Sequence, residues 1–311
     1  MLGGSPFSPA SPQAVATLHL FSLVLLLGAA VFAIVAAILV VAALRFRDRP
    51  GRGEPRQDAG APAVEIAWTL GAALLLLVIF IPTVRTMRAV EPPAGTRAPD
   101  LVVIGHQWWW EVRYPAAGIT TANEIHIPAG RSLLVHVDSA DVIHDFWVPQ
   151  LARKIDLTPG HPADIWLRAD TPGVYLGACA EYCGTEHAWM RIQVVADAPE
   201  AFEAWQAQQR RPAPAPATPE AVAGRQLYQS LACASCHTGL SSPRQSVAVG
   251  PDLGHVASRS MLAAGVLPNT PAGLTRWLRD PQAVKPGSLM PNFHLTDAEL
   301  RQLTAYLETL R

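Results

Sequence analysis

The segment Cys179-Ala-Glu181-Tyr-Cys183-Gly-Thr-Glu-His187-Ala-Trp-Met190 offers two thiols, an imidazole and a thioether. A second imidazole, His144, lies upstream within Val142-Ile-His-Asp-Phe-Trp-Val-Pro149. Soft thiolate and thioether ligands combined with imidazole favour copper, and a long, weak bond to Met is typical of copper electron-transfer sites. A mononuclear blue-copper site uses one Cys. Two thiolates in one turn can instead bridge two coppers, each of which then takes one His. Such a pair is a one-electron relay with no open position for a substrate. Structural zinc is a competing reading, because Cys₂His₂ sets are usually zinc. Met190, three residues after His187, and the remote His144 before an aromatic stretch argue for copper. A Cys179–Cys183 disulfide also competes, but it leaves His144, His187 and Met190 without a purpose.

Further along stands Cys233-Ala-Ser-Cys236-His237. C-x-x-C-H is the attachment signature of c-type haem, in which the thiols bond the porphyrin and the His becomes an axial ligand. A thioredoxin-like dithiol is the alternative, and the adjacent His argues against it. A sixth ligand is expected downstream. Met290 in Lys285-Pro-Gly-Ser-Leu-Met-Pro291 is the leading candidate, because the flanking Pro and Gly fix an extended loop that can present the thioether. His255 and His294 compete for the role; Met gives the higher potential. With two cysteines assigned to copper and two to haem, none of the four is left for a disulfide framework.

These groups need elements to position them, and the chain divides accordingly. Its 311 residues can hold two or three domains. A formal charge of −1 supplies no global field for nucleic acid. From about residue 14 to 44 the sequence is almost wholly apolar, with His19 its one ionisable group, and a second apolar run covers Ile66 to Val84. Each is long enough to span a bilayer. The first lacks the basic start of a signal peptide and far exceeds the length of its apolar core. Between the runs lie Arg45, Arg47, Arg49, Arg52 and Arg56, whereas no basic residue precedes the first run. The arginines mark the cytoplasmic side, so both termini and everything beyond Val84 are expected on the periplasmic side of a bacterial inner membrane.

The external part divides at a Pro/Ala-rich spacer, residues 207–219 in the sequence pattern, giving expected divisions of 1–95, 96–200, 201–218 and 219–311. Before the spacer, short runs at Leu101–Ile104, Glu124–Ile127, Leu133–Val137, Ile165–Leu167 and Ile192–Val195 are punctuated by Pro-Gly and Pro-Ala-Gly turns. Such spacing predicts a β-sandwich or barrel. After the spacer, Pro219–Leu231 and Thr296–Leu310 read as helices, the second opened by the capping box Thr296-Asp-Ala-Glu299. No internal repeat, P-loop or catalytic Ser/His/Asp set is visible.

Four blocks together resemble subunit II of a haem–copper cytochrome c oxidase of the caa type, with a fused C-terminal cytochrome c. They are Glu65-Ile-Ala-Trp68-Thr, Gly105-His-Gln-Trp108-Trp-Trp110, the His144 to Lys154-Ile-Asp156 and Cys179 to Met190 segments, and the Gly250-Pro-Asp-Leu253 and Lys285 to Met290 loops. The resemblance implies a two-helix transmembrane hairpin with helices at about 14–44 and 65–86. It further implies a cupredoxin-like Greek-key β-barrel and an all-α class I cytochrome c domain. In that pattern Cys179 and Cys183 bridge both coppers of a CuA centre, and His144 and His187 bind one each. Met190 completes one copper and the Glu181 carbonyl the other, while the Glu181 carboxylate reaches a Mg or Mn ion shared with subunit I. Trp108 is implied as the electron entry and Glu65 as the entrance of a proton path. Read from the residues alone, the Trp108–Trp110 cluster is equally a buried strand face, and Glu65 equally a residue at the water interface.

The function implied is the electron-entry subunit of a terminal oxidase. Cytochrome c reduces the covalent haem, the electron passes to CuA and then to haem in subunit I, and oxygen is reduced to water with proton translocation. Quinol-oxidising relatives keep the hairpin and barrel but lose the copper ligands, all of which are in place here. The remaining alternatives are the input subunit of a CuA-containing nitric oxide reductase, a membrane-anchored electron shuttle and a copper-binding protein.

Overall fold

The computed structural model describes residues 4–47, 51, 53, 60–92, 97–231, 233–237 and 249–311. They form two units, one of Val15–Val90 and one holding the rest of the chain. Helices α1 (Pro12–Arg45) and α2 (Pro62–Val90) supply the first unit. With 34 and 29 residues, they run about 50 Å and about 43 Å at a rise of about 1.5 Å per residue. Each exceeds the roughly 30 Å of a bilayer's hydrocarbon core. Their best windows have mean hydropathies of 3.1 and 2.4. Leu26, Phe32, Leu39, Leu70, Leu76 and Phe80 all stand exposed, so the helices are apolar all round, which suits lipid and not a protein core. Both extend a few residues beyond the expected limits. Arg49, Arg52 and Arg56 of the intervening loop lie outside the described residues.

The second unit begins with ten strands: β1 (Leu101–His106), β2 (Trp109–Tyr114), β3 (Ile119–Ala122), β4 (Glu124–Pro128), β5 (Leu133–Ser139), β6 (His144–Trp147), β7 (Ile155–Leu157), β8 (Ala163–Leu167), β9 (Gly173–Cys179) and β10 (Arg191–Asp197). They make two five-stranded sheets, ordered β3-β2-β1-β5-β8 and β4-β10-β9-β6-β7. β1 with β5 and β10 with β4 pair in parallel, and the other ladders are antiparallel. Val103, Val112, Val135 and Ile165 from one sheet share a core with Ile125, Phe146, Ile192 and Val194 from the other. This is a cupredoxin-like domain in two-sheet form, built on the alternation of inward residues that sandwiches require.

The sequence reading of the spacer needs correcting. Its expected start, residue 201, falls inside α3 (Pro199–Gln209). Pro199 opens that helix at a position where a missing N–H costs nothing. Phe202 is buried in the barrel core, and Trp205 stacks on His126 with ring centroids 4.3 Å apart. Within the expected spacer, residues 210–218 lack helix or strand.

The C-terminal domain contains α4 (Pro219–Ser230), α5 (Cys233–Cys236), α6 (Pro271–Arg279), α7 (Pro281–Val284) and α8 (Asp297–Leu307). A two-residue ladder, β11 (Met261–Leu262) with β12 (Leu267–Pro268), interrupts the otherwise helical domain. Thr218 caps α4 by accepting from Ala221 N at 3.2 Å. The expected capping box opens α8: Thr296 Oγ1 accepts from Glu299 N, and Thr296 N donates to Glu299 Oε2 at 2.8 Å. The core gathers Tyr228, Leu274, Leu300, Leu303, Tyr306 and Leu310.

Candidate metal centre and haem pocket

His144 opens β6 and Cys179 closes β9, and these strands are antiparallel neighbours. Cys179 N donates to Met190 O at 3.0 Å, which closes the intervening loop on itself. The result is a compact cage. The two sulfurs stand 3.7 Å apart. Cys179 Sγ is 3.9 Å from His144 Nδ1 and 3.2 Å from the Glu181 carbonyl. Cys183 Sγ is 3.7 Å from His187 Nδ1 and 3.9 Å from Met190 Sδ. A disulfide needs about 2.05 Å between sulfurs, and both cysteines are free in this structure. One imidazole serves each sulfur, and the thioether and the carbonyl lie at opposite ends.

Surrounding groups fix these ligands. His144 is fully buried, and its Nε2 pairs with Asp141 Oδ1 at 2.8 Å, which leaves Nδ1 facing the sulfur. Gly105 makes room for that ring: a Cβ there would lie 2.7 Å from His144 Cδ2. The cage also prefers a cation. The hydrogen bond from Cys183 pulls the Cys179 thiol down. The same bond, followed by burial, pushes Cys183 up. One thiolate therefore forms easily and the second needs a compensating positive charge, a condition that copper ions between the sulfurs would meet. Beside the cage, burial and then Asp156 raise Asp145 to about 7.

The three neighbouring tryptophans take different roles. Trp108 Nε1 donates to Cys183 O at 3.0 Å, and Gln107 Nε2 donates to the same carbonyl at 2.8 Å. Trp109 stacks on His106 at 4.2 Å. Trp110 is fully buried, edge-on to Phe146 at 5.9 Å. The buried-face reading thus suits Trp109 and Trp110, while Trp108 touches the ligand loop.

In the C-terminal domain Cys233, Cys236 and His237 line a cavity of about 410 Å³ walled by Leu253, Leu274, Trp277 and Leu303. His237 Nδ1 bonds to Pro251 O at 2.9 Å, so Nε2 is the nitrogen left for a metal. Burial lowers the pKa of His237 and keeps the ring in its neutral, ligating form. Met290 lines the same cavity, and His255 and His294 do not. An apolar chamber with two thiols, a neutral imidazole and a thioether fits a covalently held haem. On its other side the cavity reaches Gln107 and Trp108 of the barrel.

Family models match along most of the chain. Residues 6–86 match "Cytochrome C oxidase subunit II, transmembrane domain", 116–197 its "periplasmic domain", and 221–311 "Cytochrome c". A cytochrome c oxidase subunit 2 from Alkalihalophilus pseudofirmus is 33% identical, over 97% of this chain and 90% of the relative. The chain belongs to the cytochrome c oxidase subunit II family. A second cytochrome c oxidase subunit 2, from Bacillus sp. (strain PS3), is 32% identical over 86% of this chain and 80% of its own length. The crystal structure of the periplasmic domain of subunit II from Bradyrhizobium japonicum shares 28% identity with a TM-score of 0.33, covering 37% of this chain and 96% of that one.

This subunit II is therefore an electron-transfer subunit with a membrane anchor, a cupredoxin-like domain and a fused cytochrome c domain, working beside other oxidase subunits. Glu65 lies in the first turn of α2. The Glu181 carboxylate is exposed and accepts from Tyr182 N at 3.2 Å. Among the described residues it joins no cluster close enough to hold a metal ion, where His144, Cys179 and Cys183 do. Sequence reasoning missed Glu186, Lys285, Glu124 and Ser260 as partners, because each is paired across domains. Lys285 Nζ lies 2.9 Å from Glu186 Oε2, and Ser260 N donates to Glu124 Oε2 at 3.0 Å.

Proposed function

We propose that this chain is the electron-entry subunit of a terminal oxidase that receives electrons from cytochrome c. Cys179, Cys183, His144, His187, Met190 and the Glu181 carbonyl would hold a binuclear CuA centre. Cys233 and Cys236 would bond a haem whose iron takes His237 and Met290. Bound there, the two centres would supply one-electron transfer between cytochrome c and subunit I, in support of oxygen reduction with proton translocation in that partner.

The observation that carries this reading is the position of Trp108. Its indole N–H bonds to the carbonyl of Cys183, and the same residue lines the cavity of Cys233 and His237. One side chain thus joins both candidate centres by contact. The protein's task at the cage is to hold ligands in place so that little moves when the charge changes. Burial of Cys179, Cys183 and Met190 excludes water from it, and Asp141 orients the deepest imidazole. The Glu181 carboxylate, exposed beside the cage, is available to a Mg or Mn ion completed by subunit I. Glu65 would serve protons entering that partner, with both termini and the two metal domains on the periplasmic side.

Cys183→Ser tests the reading in the assembled oxidase. Copper should fall to background and turnover with cytochrome c should drop beyond the roughly 10–100-fold typical of outer-shell changes, while haem attachment stays intact. Normal turnover in that variant would overturn the copper relay.

A further inference from the structure

The haem pocket and the copper cage belong to different domains joined by a Pro/Ala-rich stretch, yet their facing walls are tied at two places. At the first, Lys285 follows α7 on the loop that carries Met290 and is 4% exposed. Its Nζ pairs with Glu186 Oε2 at 2.9 Å and donates to Trp108 O at 2.8 Å. Glu186 is 1% exposed and stands between Cys183 and His187 on the ligand loop. At the second, Ser260 N and Oγ both donate to Glu124 Oε2, at 3.0 Å and 2.6 Å, with Gln193 bonded to the same oxygen. The loop beside Ser260 turns through left-handed backbone at Ala263, Ala264 and Gly265, with φ of 51°, 56° and 83°. That unusual turn delivers Ala264 O to Arg191 N at 3.1 Å. Only glycine fits at 265, where a Cβ would sit 2.9 Å from Arg191 Cβ.

We propose that Lys285 and Glu186 form a buried latch that fixes how the fused cytochrome domain docks on the copper-ligand loop, with Lys285 also holding the Trp108 carbonyl. Both are positioning residues, and only the purpose of the latch rests on the relay reading. A buried charge is tolerated when it is paired and costly when it is not. The ammonium and carboxylate come from opposite domains, so any other docked arrangement that buried these surfaces would strand one charge. Buried pairs of this kind contribute orientation more than affinity. The hydrogen bonds at Ser260 and Arg191 supply the grip, and the ion pair selects the register. The spacer alone would leave the domain near the barrel in many orientations. The latch selects the one in which Trp108 borders the cavity.

The test uses the full chain in the assembled oxidase with Lys285→Met, Glu186→Gln, Glu186→Leu and the double variant Lys285→Met/Glu186→Leu. Two readouts are taken: amide exchange in segments 184–193 and 258–268, and the rate of haem-to-copper electron transfer after rapid reduction. Each single variant should exchange about tenfold faster in both segments and transfer electrons about tenfold more slowly. The absorption bands of both centres should not change, because no proposed ligand is altered. The double variant, which leaves no unpaired charge, should recover most of both losses. Unchanged exchange in Glu186→Gln, or a double variant as impaired as the sum of the singles, would overturn the latch. Segment 258–268 carries no proposed metal ligand, so a chain that lacked copper would defeat the relay reading and leave the latch result readable there.

Discussion

In the cupredoxin half, sulfur and imidazole ligand atoms stand no more than 3.9 Å from a neighbouring ligand sulfur. In the cytochrome half, His237 and Met290 reach a shared 410 Å³ chamber from segments far apart in sequence. A small cation cluster can be anticipated by a closed loop between two strands, because the ligands need only converge on a point. A haem occupies volume, so its site is a walled space with reactive groups at the margins. Copper affinity should therefore depend on orientation at the cage, and haem properties on what each margin presents.

The largest expected effect lies on the haem side. Met290→Ala should leave the haem covalently attached while its potential falls by tenths of a volt, within the roughly 0.8 V range that axial ligands span. An unchanged potential in a redox titration would remove Met290 from the iron and break the contrast at its weaker end. On the copper side, Asp141→Asn should weaken copper binding by about 10–100-fold through a misoriented His144, measured by competition with a chelator. Affinity equal to that of the parent would mean that the loop alone positions the ring. Gly105→Ala probes the same ring sterically, and overpacking of this kind costs about 1–3 kcal/mol. Thermal unfolding of the unmutated and mutated chains would report it.

How much of this was readable beforehand differs between the two halves as well. The candidate ligands were legible where they are local: Cys179 to Met190 is one loop and Cys233 to His237 one helix end, whereas His144 and Met290 are brought to them only by the fold. The sheet was only partly legible. β1, β4, β5, β8 and β10 coincide with the short apolar runs. β2 has Trp109, Trp110, Glu111 and Val112 all buried, so it shows no alternation for a reader to find. β6 is four residues long and places a histidine and an aspartate in the interior. α3 hid within what reads as spacer, because Phe202 and Trp205 gain their packing from the distant barrel. The contacts of Lys285 and Ser260 were invisible for the same reason, being set by tertiary structure.

The smallest predicted effect concerns pH at the second tie between the domains. Burial raises the pKa of Glu124, but hydrogen bonds from His126 and Ser260 outweigh it and hold the group at about 2. Burial lowers that of His126, and its bonds to Glu124 and Asp197 reverse the sign and raise it. The Glu124 contribution is complete above its ordinary 4.5 and is lost as pH falls toward about 2. The His126 contribution is complete below its ordinary 6.5 and is lost as pH rises through the elevated value. The thermal midpoint should therefore be highest between those two ordinary values, and His126→Gln should flatten the alkaline decline. A decline of the same steepness in that variant would assign the effect to other groups.

The measurement that bears most directly on the relay is metal content with electron paramagnetic resonance on the full chain. The account predicts two coppers and one covalent haem per chain, with one unpaired electron delocalised over both coppers. Zinc in the cage, or a single isolated copper, would contradict it and leave a membrane-anchored cytochrome whose barrel serves another purpose.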